Sequence, residues 1–107
     1  MSSDDNLCLM KSCFESSAAC LECAERSGSH EGCATQCRIN AELAGVTARL
    51  MSLKAPEVNT LVDLVIKSSK KCADICSQHK NDHCQACAAA ARNLGNNLRG
   101  YQERAAG

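Results

Sequence analysis

Aromatic residues are nearly missing from this chain: one Phe (Phe14), one Tyr (Tyr101) and no Trp in 107 residues. A core of large interlocking rings is thereby excluded. Small side chains, mainly Ala and Cys with some Leu, must fill the interior, and they suit close helix packing. Proline is as scarce, with Pro56 the single example, and the six glycines fall mostly at ends or turns, so little interrupts regular helix. Charge of one sign is not in excess either, since Lys plus Arg and Asp plus Glu each number 12. Interspersed as they are, these charges build no basic stripe, which disfavours nucleic acid and anionic membrane as partners. No apolar run approaches the roughly 18 residues of a membrane span, and the opening MSSDDNLCLM has neither a basic n-region nor an apolar h-region. The expectation is a soluble, cytoplasmic protein of one domain, residues 1–107, with no nucleic-acid and no membrane partner.

What the chain has in quantity is cysteine, ten in all. In a short secreted chain that density signals a disulfide scaffold, whereas without an export signal it points to metal or catalysis. Three breaks, RSGSHEG (26–32), LKAPE (53–57) and HKND (79–82), divide the chain into four segments. Read as helices these cover roughly 5–27, 31–53, 56–79 and 82–104, each about 30 Å long. Pro56 suits the first turn of the third helix, and Ser29 and Asn81 are candidate caps for the second and fourth. The fold class is all-α, an antiparallel up-down-up-down four-helix bundle. CLECAERSGSHEGCATQC and CADICSQHKNDHCQAC each set a cysteine pair before and after a His-containing turn, a weak internal duplication of a helical hairpin.

At about 100° per residue, Cys13, Cys20 and Cys23 share one arc of the first helix, with Cys8 nearer its edge. Cys33 and Cys37 continue into Ala41, Ala44, Ala48 and Met51; Leu61 and Val65 lead to Cys72, Cys76 and His79; Cys84 and Cys87 lead to Ala91, Leu94 and Leu98. The thiols end helices one and three and begin two and four, so an up-down bundle gathers them at one end. His30, His79 and His83 fall in or beside the loops at that end, and Val58, Leu61, Val65, Leu94 and Leu98 close the other. Packing alone is a poor account of nine inward thiols, since Ala, Val or Leu would fill the space without the oxidation hazard. Disulfide-paired hairpins need matched spacings that helices three and four do not repeat. Iron–sulfur runs of C-x₂-C-x₂-C are missing, and structural zinc prefers separate four-ligand sites on turns. Helical C-x₂-C and C-x₃-C pairs place two sulfurs about 5 to 6 Å apart at Cβ, and soft thiolates select Cu(I). Several Cu(I) ions bridged by thiolates would also leave a nearly neutral buried cluster, whereas Zn²⁺ in Cys₄ sites would not.

The stretch CADICSQHKNDHCQACAAAAR, with CLECAERSGSHEGCATQC as a looser match, resembles the cysteine-rich four-helix-bundle copper storage proteins. That resemblance covers essentially the whole chain. It implies Cu(I) storage without chemical turnover, hence no enzyme, with Cys13, Cys20, Cys23, Cys33, Cys37, Cys72, Cys76, Cys84 and Cys87 as ligands and His30, His79 and His83 at the mouth. It also implies a homo-oligomer, with a tetramer favoured. The chain carries fewer thiols than well-filled members, so a lower capacity or a single cluster near the mouth is expected. Helix two adds a second apolar seam, Ile39, Leu43, Val46, Leu50 and Leu53, off its Cys/Ala face and suited to another subunit, with Val62 and Ile66 as candidates to join it. The rival readings are a thiol redox or stress module and a binder of another soft metal such as zinc.

Overall fold

The seams of four helices set the architecture. The core-facing residues of the first are Leu9, Cys13, Ser16, Cys20, Cys23 and Ser27; of the second, Cys33, Cys37, Asn40, Ala44, Thr47 and Met51; of the third, Val58, Val62, Val65, Ser69, Cys72 and Cys76. In each the spacing is 4, 3, 4, 3, 4, the heptad period that keeps one stripe facing a partner along its length. In the computed structural model, which describes residues 3–27 and 31–106, these three stripes lie on α1 (Ser3–Arg26), α2 (Glu31–Ser52) and α3 (Val58–Cys76), and α4 (Asp82–Ala106) adds a fourth through Cys84, Cys87, Ala91, Leu94 and Leu98. Each helix packs chiefly on two neighbours, α1 on α2 and α4, α3 on α2 and α4, giving an antiparallel four-helix bundle about 42 Å long and 21 Å across. No strand occurs among the described residues, and none of the helices is long and apolar enough to cross a membrane.

The helix ends depart from the sequence expectation in two places. Pro56 does not open α3: it lies in a tight turn in which Asn59 N–H donates to Pro56 O at 3.2 Å and Thr60 N–H to Glu57 O at 3.1 Å, so the α-helix proper begins at Val58. The same helix ends at Cys76 instead of 79. Beyond it the backbone tightens into i→i+3 bonds, Gln78 N–H to Ile75 O and His79 N–H to Cys76 O, which carries His79 into the turn. Gln85 Nε2 donates to Ser77 O and His79 O, satisfying carbonyls at the end of α3 from the first turn of α4. The carbonyl of Asn81 accepts from Gln85 N–H, the opening bond of α4, while Ser29 lies outside the described residues.

The interior divides along its axis. Toward the α1/α2 and α3/α4 turns it is filled by thiols and alanines; at the other end Leu9, Val58, Val62, Val65, Leu94 and Leu98 form an apolar plug. Val62 and Ile66, expected on an outer seam, are buried in this plug, and Leu61 is only half-buried. The core stripe of α3 is therefore turned away from the Leu61 side, because the 4, 3, 4, 3, 4 seam through Val58 and Val62 is the one continuous with Cys72 and Cys76.

Candidate metal centre

Eight cysteines meet in two consecutive layers, each layer taking one thiol from every helix. In the layer nearer the turns, Cys23 Sγ lies 3.8 Å from both Cys33 Sγ and Cys84 Sγ, and Cys33 Sγ lies 3.3 Å from Cys76 Sγ. In the layer below, Cys20 Sγ is 3.4 Å from Cys87 Sγ and 3.8 Å from Cys72 Sγ, while Cys37 Sγ is 3.6 Å from Cys87 and 3.9 Å from Cys72. Cys37 joins the two layers, 3.5 Å from Cys76 and 4.0 Å from Cys33. All eight are buried and none is disulfide-bonded. Heptad geometry explains the meeting: C-x₂-C or C-x₃-C on each helix occupies two successive seam positions, so four such pairs at one level make eight inward sulfurs.

Two sets of four sulfurs have all members within 4.8 Å of one another, Cys23, Cys33, Cys37 and Cys76 in one, Cys37, Cys72, Cys76 and Cys87 in the other. They share Cys37 and Cys76. A third set joins Cys23 and Cys84 to His83, whose Nδ1 is 3.5 Å from Cys84 Sγ. These spacings match what a metal requires, since an ion about 2.3 Å from each sulfur leaves the sulfurs about 3.8 Å apart in a tetrahedron and about 4.0 Å in a triangle. Several ions could therefore be held with little movement of the backbone.

Electrostatics within the cluster separate the thiols into acids and donors. Cys20 and Cys76 are drawn below the usual thiol range, in each case because Cys37, or at the other sites Cys72 and Cys87, offers its S–H to a sulfur that ionises. Cys37, Cys72 and Cys87 are correspondingly raised, chiefly by their bonds to Cys20. Burial pushes Cys33 up to about 12, aided by its neighbour Cys76, and Cys84 up to about 11, aided by Cys23.

The remaining expected residues fall into different places. Cys13 is fully buried but lies with Leu9, Ala44, Val65 and Leu94 in the plug, below the eight, and burial pushes it up to about 12. Cys8 is exposed at that far end. His83 stands at the edge of the upper sulfur layer, beside an outer cleft lined by Glu22, Arg26, Asn81 and Asp82. His79 sits half-buried in the α3/α4 turn, its carbonyl held by Gln85, and His30 lies outside the described residues. Sequence reasoning passed over three polar side chains that touch the sulfurs, of which Ser16 Oγ lies 4.0 Å from Cys20 Sγ. Ser27 Oγ donates to Cys23 O and sits 3.7 Å from Cys33 Sγ; Asn40 Nδ2 donates to Cys20 Sγ at 3.4 Å. Their heptad positions, one step beyond the thiols on α1 and α2, were the available signal.

Comparison with known proteins agrees with this geometry. A cysteine-rich protein of Bacillus subtilis (strain 168), the uncharacterized YhjQ, is 29% identical over 87 residues, covering 76% of this chain and 81% of that one. The structure of the Cu(I)-bound copper storage protein BsCsp3 superposes with a TM-score of 0.85 at 22% identity, covering 90% of this chain and 96% of that one, and so shares its fold. The family model described as copper storage protein matches residues 2–102, and the chain belongs to the copper storage protein family.

Proposed function

We propose that this protein stores or sequesters several Cu(I) ions in the sulfur-lined half of its bundle, in the cytoplasm and without chemical turnover. The observation that carries this reading is the sharing of Cys37 and Cys76 between two four-sulfur sets. Separate structural zinc sites each need four ligands of their own. Shared sulfurs instead suit bridging thiolates and a soft d¹⁰ ion content with two or three of them. Charge supports the same choice: about one Cu(I) per thiolate is nearly neutral, where buried Zn²⁺ in Cys₄ sites would leave uncompensated anions. The solved relative of the same fold is itself Cu(I)-bound.

The proposed ligands are Cys20, Cys23, Cys33, Cys37, Cys72, Cys76, Cys84 and Cys87. His83 and His79, together with His30 as the sequence suggests, receive or deliver the ion at the mouth. Uptake displaces a proton from each thiol, so affinity falls as pH falls. An anaerobic Cu(I) titration of the reduced protein against a chromogenic chelator tests the reading. Saturation near about eight ions per chain is expected if every thiolate bridges two ions. Uptake below about two ions, or equal uptake after the eight cysteines are changed to Ser, removes it, and thiol counting after aerobic and anaerobic preparation then decides for the redox alternative.

Assembly into a homo-oligomer, a tetramer foremost, belongs to the same proposal. It rests on the second face of α2, where Ile39 and Leu53 are exposed and Leu43, Val46 and Leu50 half-buried, and where Ile39 and Ile75 line a groove with α3.

A further inference from the structure

Directly beneath the eight thiols the seams change character. The next layer holds Ser16 of α1, Asn40 of α2, Ser69 of α3 and Ala91 of α4, and the one after it Cys13, Ala44, Val65 and Leu94. Asn40 is fully buried and fully engaged. Its Nδ2 donates to Ser16 Oγ at 3.4 Å and to Cys20 Sγ at 3.4 Å; its Oδ1 accepts from Ser68 Oγ at 2.9 Å and Ser69 Oγ at 3.2 Å. Gln36 Nε2 completes the network on Ser68 Oγ at 3.2 Å. No buried side-chain nitrogen or oxygen among the described residues lacks a partner.

Such a layer adds little to stability, because a satisfied polar set replaced by apolar groups of the same shape is nearly neutral. Its directionality is a better account. A hydrogen bond from an amide N–H strengthens about twofold when the acceptor is ionised, and Cys20 gains negative charge when its thiol proton leaves for solvent and its sulfur bonds Cu(I). Nothing in the layer can pass the metal further down. Amide and hydroxyl oxygens are poor ligands for a soft ion, and those present are committed to one another. Cys13, seven residues from Cys20 and so about 10 Å along α1, packs among the apolar residues of the plug, whereas Cys20 Sγ lies 3.4 Å from Cys87 Sγ and 3.8 Å from Cys72 Sγ.

We infer that the Asn40 layer is the floor of the copper store: it ends the cluster at Cys20, fixes the position of that sulfur by donating Nδ2–H to it, and leaves Cys13 outside as a metal-free thiol. This rests on the Cu(I)-storage reading and deepens it. Asn40 is a positioning residue, since it acts on the metal through Cys20.

The test begins with Cu(I) uptake by the reduced wild-type chain; if none is taken up, the storage reading fails before the floor is reached. With uptake established, Cys13→Ala is expected to bind the same number of ions as wild type, and a loss of one or more ions overturns the floor. Asn40→Leu is expected to fold and to release its most weakly held Cu(I) to a chelator about tenfold more readily; unchanged retention overturns the role of Asn40. Should Asn40→Leu fail to fold, the side-chain amide NMR signals of the wild type decide. On loading, the Asn40 Nδ2–H signal should move while that of Gln36, which bonds Ser68 only, stays nearly in place. An unmoved Asn40 signal in the fully loaded protein overturns the proposal.

Discussion

A thiol in a dry pocket makes the protein sensitive to alkali, and Cys13 is the clearest case. Its proton is held up to about 12 by desolvation alone, against an ordinary 9.0. Below pH 9 the thiol is neutral in both folded and unfolded chains and contributes nothing to pH dependence. Between about 9 and about 12 the unfolded chain gives up the proton and the fold does not, so stability falls as pH rises, by about 4 kcal/mol at the upper end. Cys33 and Cys84 are shifted in the same direction and act in the same window. Urea denaturation of the metal-free, reduced protein at pH 8 and pH 10.5 should therefore show a decline that is about 2 kcal/mol smaller in Cys13→Ala than in wild type. Equal declines would mean that Cys13 is not the group titrating.

At the scale of the element, the most informative helix end is that of α2. Lys54 has φ 55°, a left-handed conformation, with Lys54 N–H on Met51 O and Ala55 N–H on Leu50 O. This is the Schellman pattern, in which glycine is the usual residue at the left-handed position. A side chain there costs roughly 1 to 2 kcal/mol, part of which glycine would return through its freer unfolded state. Lys54→Gly is expected to stabilise by about 0.5 to 1 kcal/mol, a rise of a few degrees in Tm by circular dichroism; a lower Tm would contradict the cap assignment. The existence of all four helices was legible from Ala-rich, glycine-poor segments between three breaks. The ends of α3 were not, because Pro56 fits a tight turn before a helix as well as a first helical turn, and Cys76 to His79 could continue the α-ladder or tighten as they do.

For the whole molecule, filling the sulfur half should couple to folding. Under the proposed mode of storage, Cu(I) held by eight thiolates from four helices should bind the native chain far better than the unfolded one. A free metal level a thousandfold above Kd would add about 4 kcal/mol, and thermal scans with and without Cu(I) should show a large rise in Tm that a cysteine-to-serine protein loses. The outer face of α2 makes a separate prediction. Ile39→Asp with Leu53→Asp, both exposed in the single chain, should reduce the mass measured by light scattering to that of one chain while leaving the count of bound ions per chain unchanged, since neither residue reaches the sulfur layers. A wild-type protein already monomeric at micromolar concentration would end the assembly proposal.

The helical class, the inward stripe of thiols and their gathering at one end are written in the chain, because heptad spacing and the placement of C-x₂-C and C-x₃-C pairs beside the turns are properties of single segments. Which thiols share a layer depends on how four helices slide past one another, and no single segment carries that; the packing of the bundle does. It set Cys23, Cys33, Cys76 and Cys84 on one level and Cys20, Cys37, Cys72 and Cys87 on the next. It also turned α3 so that Val62 and Ile66 entered the plug, and it set Asn40 across from Ser16, Ser68 and Ser69. Cys13 illustrates the limit: its place on the α1 seam is written in the chain, but its separation from Cys20 by a polar layer arises from residues of three helices meeting at one height.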